Sequence, residues 1–330
     1  MATKLEVCRR CGFRMVVHFS ALSFRCPACQ AVMHLRPPEP RRWAAPAVQP
    51  PPLSVHGRRR AVLCGVSYRN HKKSLAGSVN DVVAMRNLLV KRLGFPYASV
   101  VVLTEDERDP RRVPTKRNIR DAMRWLLYGS QPGDSLLFYY SGHGSQIREL
   151  TRNEMDGHDE ALCPLDFETE GKILDDEINE TIVRPLPPGA VLHAIIDTCF
   201  SGTFLDLSHV CRMNREGYYS WEDQRMPYGP YKGTQGGLAI SISACDDHQN
   251  SLGTSALTGI STGALTYSFV QILMREPRLT YGQLLIALRN RVLEVQKAGL
   301  NSGNAPKSFS QEPQLSSSEP FEVYSKPVVI

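Results

Sequence analysis

Ala194-Ile195-Ile196-Asp197-Thr198-Cys199-Phe200-Ser201-Gly202 begins as an apolar, β-prone run and then stops abruptly in small and polar residues. The first half reads as a buried strand. Side chains alternate faces along a strand, so Asp197 and Cys199 are expected to project to the same side at its end. A carboxylate and a thiol beside a Ser-Gly turn make a poor core and a good reactive site. A lone cysteine at a strand end, by contrast, is commonly a buried apolar thiol.

A second stretch upstream weighs against that plainer reading. Ser135-Leu136-Leu137-Phe138-Tyr139-Tyr140 is another apolar strand, and it runs into Ser141-Gly142-His143-Gly144-Ser145. The two glycines give the backbone around His143 turn geometries closed to other residues. Sites in open α/β sheets form outside the carboxyl ends of the strands. Two successive strands therefore deliver His143 and Cys199, 56 positions apart (199 less 143), to one sheet edge. An imidazole there can take the thiol proton or stabilise the thiolate, which makes the two a candidate cysteine–histidine dyad.

These two blocks, Tyr140-Ser141-Gly142-His143-Gly144 and Asp197 to Gly202, resemble the catalytic blocks of metacaspases, the caspase-like cysteine peptidases of plants, fungi and protists. Caspases likewise place their histidine about 50 residues before the cysteine. The resemblance runs from about Arg60 to the C-terminus and includes Asp175-Asp176-Glu177 and Gln311-Glu312-Pro313-Gln314. With the N-terminal cysteines described below, the chain is most similar to the plant type I branch. The family's usual second block reads Asp-Ser-Cys-His-Ser-Gly; Thr198 and Phe200 depart from it at positions outside the dyad.

The resemblance implies a caspase-like three-layer sandwich and a peptidase that cuts after arginine or lysine. Asp81 and Asp197 match the family's two pocket acids, and Ser141 matches a pocket hydroxyl. Ser78 stands where some relatives have a cysteine. A guanidinium can bond a carboxylate through two parallel hydrogen bonds, which suits such a pocket. Asp81 also fits a plainer role, as an acid in the first turn of a helix. In the implied acyl transfer Cys199 attacks the carbonyl after the basic residue, and His143 protonates the leaving amine and then activates water. The amides of Gly144 and Cys199 are the expected oxyanion donors.

The chain turns acidic after His143, from Glu154 to Glu177. Charge runs are usually solvated faces, yet carboxylates converging from several loops are what calcium requires. The spacing fits no EF-hand loop. The resemblance implies an activating calcium held by Asp159, Asp175, Asp176 and Asp206, with magnesium or plain solvation as the alternatives.

Cys8-x2-Cys11 and Cys26-x2-Cys29 are two knuckles with 14 residues between them. Each pair can grip one side of a tetrahedral zinc. His18 and His34 could substitute for a ligand, but with four cysteines present they are expected at the surface. A segment this short buries too little apolar area to fold alone, so the metal supplies its stability. The finger resembles those of plant cell-death regulators and implies protein partners. Arg9, Arg10, Arg14 and Arg25 leave nucleic-acid contact open, but solvated charge is the commoner explanation. From Pro37 to Pro52 the chain is proline-rich and reads as a semi-rigid spacer, a second place for partners to dock. The expected organisation is a zinc finger over residues 1–36, a proline-rich linker over 37–57 and a caspase-like catalytic domain over 58–330.

In the catalytic segment strands are expected at Arg60–Val66, Ser99–Leu103, the two site strands, Gly237–Ser243 and Phe321–Tyr324. Helices are expected at Ser78–Leu93, Thr115–Tyr128, Gly263–Arg275 and Thr280–Gln296. This alternation predicts a mostly parallel sheet with helices on both faces. Val210–Gly236 reads as a long polar loop holding candidate self-cleavage positions Arg212, Arg215, Arg225 and Lys232. Cys64, Cys211 and Cys245 read as ordinary thiols, and Asp246-Asp247 as neighbours of the cleft. The stretch from Asn301 to Ser318 reads as a partly flexible tail.

The chain has 330 residues, 42% hydrophobic and 22% charged, with a net charge of +6. That suits one large soluble domain with an appendage, and the charge is no nucleic-acid signature. No run approaches the roughly 20 apolar residues of a membrane span. The N-terminus lacks the apolar core of a signal peptide, so secretion is not expected. Nine cysteines, four of them better used on metal, fit a reducing compartment. The expectation is a cytoplasmic or nuclear monomer acting in programmed cell death or stress responses. A catalytically silent zinc-finger scaffold is the alternative from another class, and a peptidase cutting after asparagine would leave the two pocket acids unexplained.

Overall fold

The computed structural model describes residues 3–8, 10–11, 14–18, 23–34, 58–69, 71–72, 74–148, 158–198, 202, 204–214, 216–225, 231–244, 262–276, 278–301 and 312–330. The chain divides into two compact units, Met1–Gln49 and Pro50–Ile330. The whole proline-rich stretch, Cys199, Arg215, Cys245 and Asp246-Asp247 lie outside the described residues.

Among its described residues the first unit forms two antiparallel hairpins, β1 (Thr3–Val7) with β2 (Arg14–His18), and β3 (Ser23–Arg25) with β4 (Val32–His34). Each hairpin presents a cysteine just past its first strand, Cys8 and Cys26, and both are buried.

The second unit is built on an eight-stranded mixed sheet. Its elements in chain order are β5 (Arg59–Gly65), α1 (Ser78–Lys91), β6 (Val100–Thr104), α2 (Lys116–Leu127), β7 (Ser135–Ser141), β8 (Gly144–Arg148), β9 (His158–Leu162), α3 (Phe167–Glu170), β10 (Ile173–Leu174), α4 (Asp175–Ile178), β11 (Val191–Asp197), β12 (His209–Met213), β13 (Tyr219–Asp223), β14 (Leu238–Ser243), α5 (Ala264–Arg275), α6 (Tyr281–Asn301) and β15 (Gln314–Ser317). The order in the sheet is β13-β12-β15-β14-β11-β7-β5-β6. The run from β14 to β6 is parallel, and the three strands beyond β14 are antiparallel. β8, β9 and β10 form a separate three-stranded antiparallel sheet.

Parallel strands covered on both faces must be apolar throughout, and every residue of β7 is buried. The period of two sorts the side chains. Ala61, Leu63, Leu137, Tyr139 and Ile195 pack against Val82, Met85 and Leu89 of α1 and Leu265 and Phe269 of α5. Val62, Cys64, Leu136, Phe138, Tyr140, Ala194 and Ile196 pack against Ile119, Met123 and Leu126 of α2 and Ile178 and Ile182 beyond β10. Thr115 caps α2 by accepting from Asn118 N, as expected of its side chain.

Three local expectations are corrected. Phe321–Tyr324 is no strand: it forms a turn, in which Val323 is buried and the Phe321 carbonyl accepts from Trp221 Nε1. The last strand is instead Gln314–Ser317, inside the segment expected to be flexible, and all four of its residues are buried. The expected loop from Val210 contains the β12–β13 hairpin. Among the described residues no helix is long and apolar enough to cross a membrane.

Candidate active site and metal centres

The registers of the parallel strands fix the site. Asp197 lies opposite Ser141, and Ser141 lies opposite Gly65, so three neighbouring strands end level. Asp197 and Ser141 continue the odd-numbered face that packs on α1 and α5. Gly65 is where α1 comes closest: a Cβ there would stand 2.5 Å from the Ser78 carbonyl oxygen. That approach brings Asp81, in the first turn of α1, over the strand ends.

The Asp81 carboxylate accepts from Ser141 Oγ at 2.9 Å and from Gly263 N at 3.0 Å. Asp197 Oδ2 accepts from Thr266 N at 2.9 Å and from Thr266 Oγ1 at 2.6 Å. Tyr139 Oη lies 2.7 Å from the same Thr266 hydroxyl. Both carboxylates are almost fully buried, Asp81 1% and Asp197 4% exposed. Burial first, and then the charge of Asp197, push Asp81 up to about 8 against the pull of Gly263 N–H and the Ser141 hydroxyl. Burial likewise raises Asp197, against the pull of Thr266. Among the described residues neither carboxylate pairs with a cation. Two buried acids sharing one site is an arrangement that a guanidinium or ammonium would relieve.

His143 follows directly on β7, two residues beyond Ser141. Its carbonyl accepts from Cys163 N at 3.1 Å, while its own N–H donates to Tyr68 Oη at 3.0 Å. The Tyr68 and His143 rings lie 4.7 Å apart at 31°. Gly144 opens β8 opposite Leu162. Since the ladder bond falls at the neighbouring His143–Cys163 pair, Gly144 occupies a non-hydrogen-bonded position and its N–H points out of the ladder. Cys199 itself lies outside the described residues. Its chain neighbours bracket it: Thr198 is buried, and the Gly202 carbonyl accepts from Gln314 Nε2 at 2.8 Å and Ser316 Oγ at 3.2 Å. The Gln314 segment noted in the sequence thus reaches Gly202, three positions beyond Cys199.

The four candidate calcium ligands come to one region. Asp175 Oδ2 accepts from Glu160 N, next to Asp159, at 2.9 Å, and Asp175 Oδ1 accepts from Asp176 N at 2.8 Å. Asn179, one helical turn on, donates to the carbonyls of Leu205 and Asp206 at 2.9 Å each. Asp206, with φ at +50°, forms an ion pair with Lys232, and both side chains are buried. The carboxylates have not converged: among the described residues only the four cysteines bring three or more ligand atoms within 4.8 Å of one another. Lys232, read in the sequence as a cleavage candidate, is 2% exposed. Arg212 lies within strand β12, whereas Arg225 is exposed just beyond β13.

Cys8, Cys11, Cys26 and Cys29 meet as a compact group. The Cys8–Cys29 and Cys11–Cys26 sulfurs are each 3.6 Å apart. That is too far for disulfides and near the edge of about 3.8 Å of a tetrahedron with bonds of about 2.3 Å, so the cluster could hold a zinc ion. Although its burial acts to raise it, Cys8 is drawn down to about 6 by hydrogen bonds from the Arg10 and Cys11 backbone and from the Cys11 and Cys29 thiols. A thiol so placed readily becomes a ligand.

Gly263, Thr266, Tyr68 and Glu105 escaped the sequence reading. Only Gly263, a glycine directly before a helical pattern, carried a local signal.

Residues 59–208 match the family model described as metacaspase, peptidase C14 domain. The chain is 48% identical to Metacaspase-1 of Arabidopsis thaliana over 98% of its own length and 95% of the relative's. It is 46% identical to Metacaspase-3 of the same plant over the full length of both, and 34% identical to Metacaspase-1 of Schizosaccharomyces pombe over 82% of this chain and 69% of that one. A crystal structure of a Geobacter sulfurreducens protein superposes with a TM-score of 0.53 at 18% identity, over 82% of this chain and 98% of that one, a likeness of fold alone. Full-length identity to curated metacaspases, carried on a sheet that levels Ser141 and Asp197 beside His143, decides the matter: this chain belongs to the metacaspase family of cysteine peptidases.

Proposed function

We propose that this cysteine peptidase is a calcium-dependent endopeptidase that cuts proteins after arginine or lysine, with Cys199 as nucleophile and His143 as its acid–base partner. The observation that carries the specificity is the buried pair Asp81–Asp197, level with the end of the His143 strand and paired with no cation among the described residues. A basic side chain entering there would offset the buried negative charge and give the acids charge-assisted donors. An aspartate side chain would add a third acid to a site whose two carboxyls burial already raises.

In the proposed reaction the Cys199 thiolate attacks the carbonyl carbon, and His143 passes the proton to the leaving amine. Water then loses a proton to His143 and displaces the acid product from sulfur. The Gly144 N–H, directed out of its ladder, and the Cys199 N–H would hold the oxyanion. Calcium would be bound by Asp159, Asp175, Asp176 and Asp206, hard oxygen donors that already share one region. Zinc would be bound by the four N-terminal cysteines and would hold the finger, with protein partners docking on it and on the linker. A role in programmed cell death or stress responses, in cytoplasm or nucleus, is the setting these features suit.

The test is hydrolysis of matched peptides ending in Arg, Lys or Asp before the reporter group, with calcium and with chelator. The proposal expects turnover of the Arg and Lys peptides in calcium only, abolished by Cys199→Ala. Turnover of the Asp peptide, or persistence in chelator, overturns the specificity or the metal respectively. Absence of any turnover would favour the scaffold reading.

A further inference from the structure

Tyr68 occupies a position that no strand–turn pattern demands. It has φ at +51°, a left-handed backbone that is rare and costly for a bulky aromatic residue. What holds it there is Glu105, just beyond β6. Its Oε1 accepts from Ser67 N at 2.6 Å and from Tyr68 N at 2.5 Å, and its Oε2 accepts from Arg69 N at 3.0 Å. Three successive amides curl around one carboxylate, the concave anion cradle that a left-handed residue creates. Arg69 adds an ion pair to Asp106, the next residue along.

The consequence lies at the other end of the Tyr68 side chain, which is 1% exposed. β8 and β9 pair from Gly144–Leu162 onward, and the next rung would be His143–Cys163. Half of that rung exists, Cys163 N–H donating to the His143 carbonyl. The other half is interrupted. His143 N–H donates to Tyr68 Oη, and Tyr68 Oη donates in turn to the Cys163 carbonyl. The Tyr140 hydroxyl also donates to that carbonyl, at 2.8 Å. A phenol oxygen therefore takes the place of one ladder bond, and its ring lies against the imidazole. Burial keeps the phenol protonated, so it stays a donor across the working pH range.

We infer that Tyr68, set by Glu105, is a positioning residue for His143: its hydroxyl splits the last rung of the β8–β9 ladder so that the imidazole is held at the strand end, while its ring limits rotation of the imidazole. Without the hydroxyl, the His143 N–H must close directly onto the Cys163 carbonyl, which Tyr140 still reaches, or lose this acceptor, and either change moves the imidazole relative to Cys199. The inference rests on the Cys199–His143 reading above.

The experiment is steady-state kinetics on the Arg peptide in calcium for Tyr68→Phe and Glu105→Ala, with melting temperature and iodoacetamide alkylation of Cys199 followed by mass spectrometry. Tyr68→Phe is expected to stay folded, to keep KM within about twofold, and to lose at least about tenfold in kcat, since small displacements of a catalytic group cost that much or more. Cys199 alkylation should slow in parallel, because it reads thiolate formation without using the substrate pocket. Glu105→Ala should reproduce the kcat loss, and Glu105→Gln, which still accepts from the amides, should restore part of it. Unchanged kcat and alkylation in Tyr68→Phe overturn the inference, as does a loss confined to KM. His143→Ala separates the two readings: if it retains turnover, the dyad itself is wrong; if it is inactive while Tyr68→Phe is normal, only the role of Tyr68 falls.

Discussion

Asp81 and Asp197 grip the same helix start from two sides, Asp81 through Gly263 N–H and Asp197 through Thr266 N–H and its hydroxyl. Neither acid faces bulk water, and the N-terminus of α5 partly offsets the missing cations. The pair suits the basic side chain proposed to enter there, yet two buried acids with no cation between them work against the stability of the chain.

That conflict gives the first prediction. Asp81 is raised from 3.8 to about 8, so between these values the folded chain binds more protons than the unfolded one. Stability conferred by its protonated form is therefore complete below pH 4 and is lost as pH rises to about 8. Asp81→Asn removes this titration and can still accept from Gly263. Its unfolding free energy relative to the parent, read from melting curves, should rise across that window by on the order of a few kcal/mol and level off above it. Cleavage of the Arg peptide should fall about 10- to 100-fold in kcat/KM, the loss of one charge-assisted bond. A melting difference that is flat with pH would place the raised proton affinity elsewhere.

Lys232 and Asp206 give the second. Removing one partner of a buried pair strands the other charge at a cost of about 3–5 kcal/mol. Lys232→Met should therefore melt earlier than the parent in chelator. Calcium, attracted to an Asp206 no longer neutralised by a tethered ammonium, should recover most of the loss and bind more tightly by about tenfold or more in titration calorimetry. Weaker or unchanged calcium binding would show that Asp206 does not contact the ion.

The cysteine cluster gives the third. Purified full-length chain should carry one zinc, measured by plasma mass spectrometry, and Cys26→Ser should lose it. Zinc bound to such thiolates contributes on the order of 10 kcal/mol of folding energy. Amide NMR signals from residues 3–34 should accordingly collapse to the random-coil range when a strong chelator removes the metal. Retained dispersion after zinc loss would mean that the two hairpins fold by their own contacts.

The sequence made the central strands legible because burial on both faces leaves no choice but apolar residues, as in Leu136 to Tyr140. It made His143 and the cysteine knuckles legible because glycines and short spacings are local signals. β15 was not legible: Gln314-Leu315-Ser316-Ser317 has the composition of a tail and becomes a strand only between β12 and β14. Tyr219 to Asp223 hid for a similar reason, being a half-exposed edge strand with a polar face. Phe321 and Val323 misled in the opposite sense, since apolar residues can anchor a turn as well as a strand. Tyr68 and Glu105 lie 37 positions apart and meet only in the fold.

Gly263 offers the sharpest test of the pocket. Its N–H donates to Asp81, and a Cβ at this position would stand 2.0 Å from Asp197 Oδ2, a distance no real contact tolerates. Gly263→Ala must therefore push the Asp197 carboxylate aside or shift the start of α5, and either change separates the two acids. His143 is held by Tyr68 and Cys163, so the nucleophile's activation should survive. The expected result is about a hundredfold loss in kcat/KM on Arg and Lys peptides with iodoacetamide alkylation of Cys199 unchanged. If basic peptides are still cut within twofold of the parent rate, Asp81 and Asp197 are structural acids at a helix start, and the enzyme reads its substrate elsewhere.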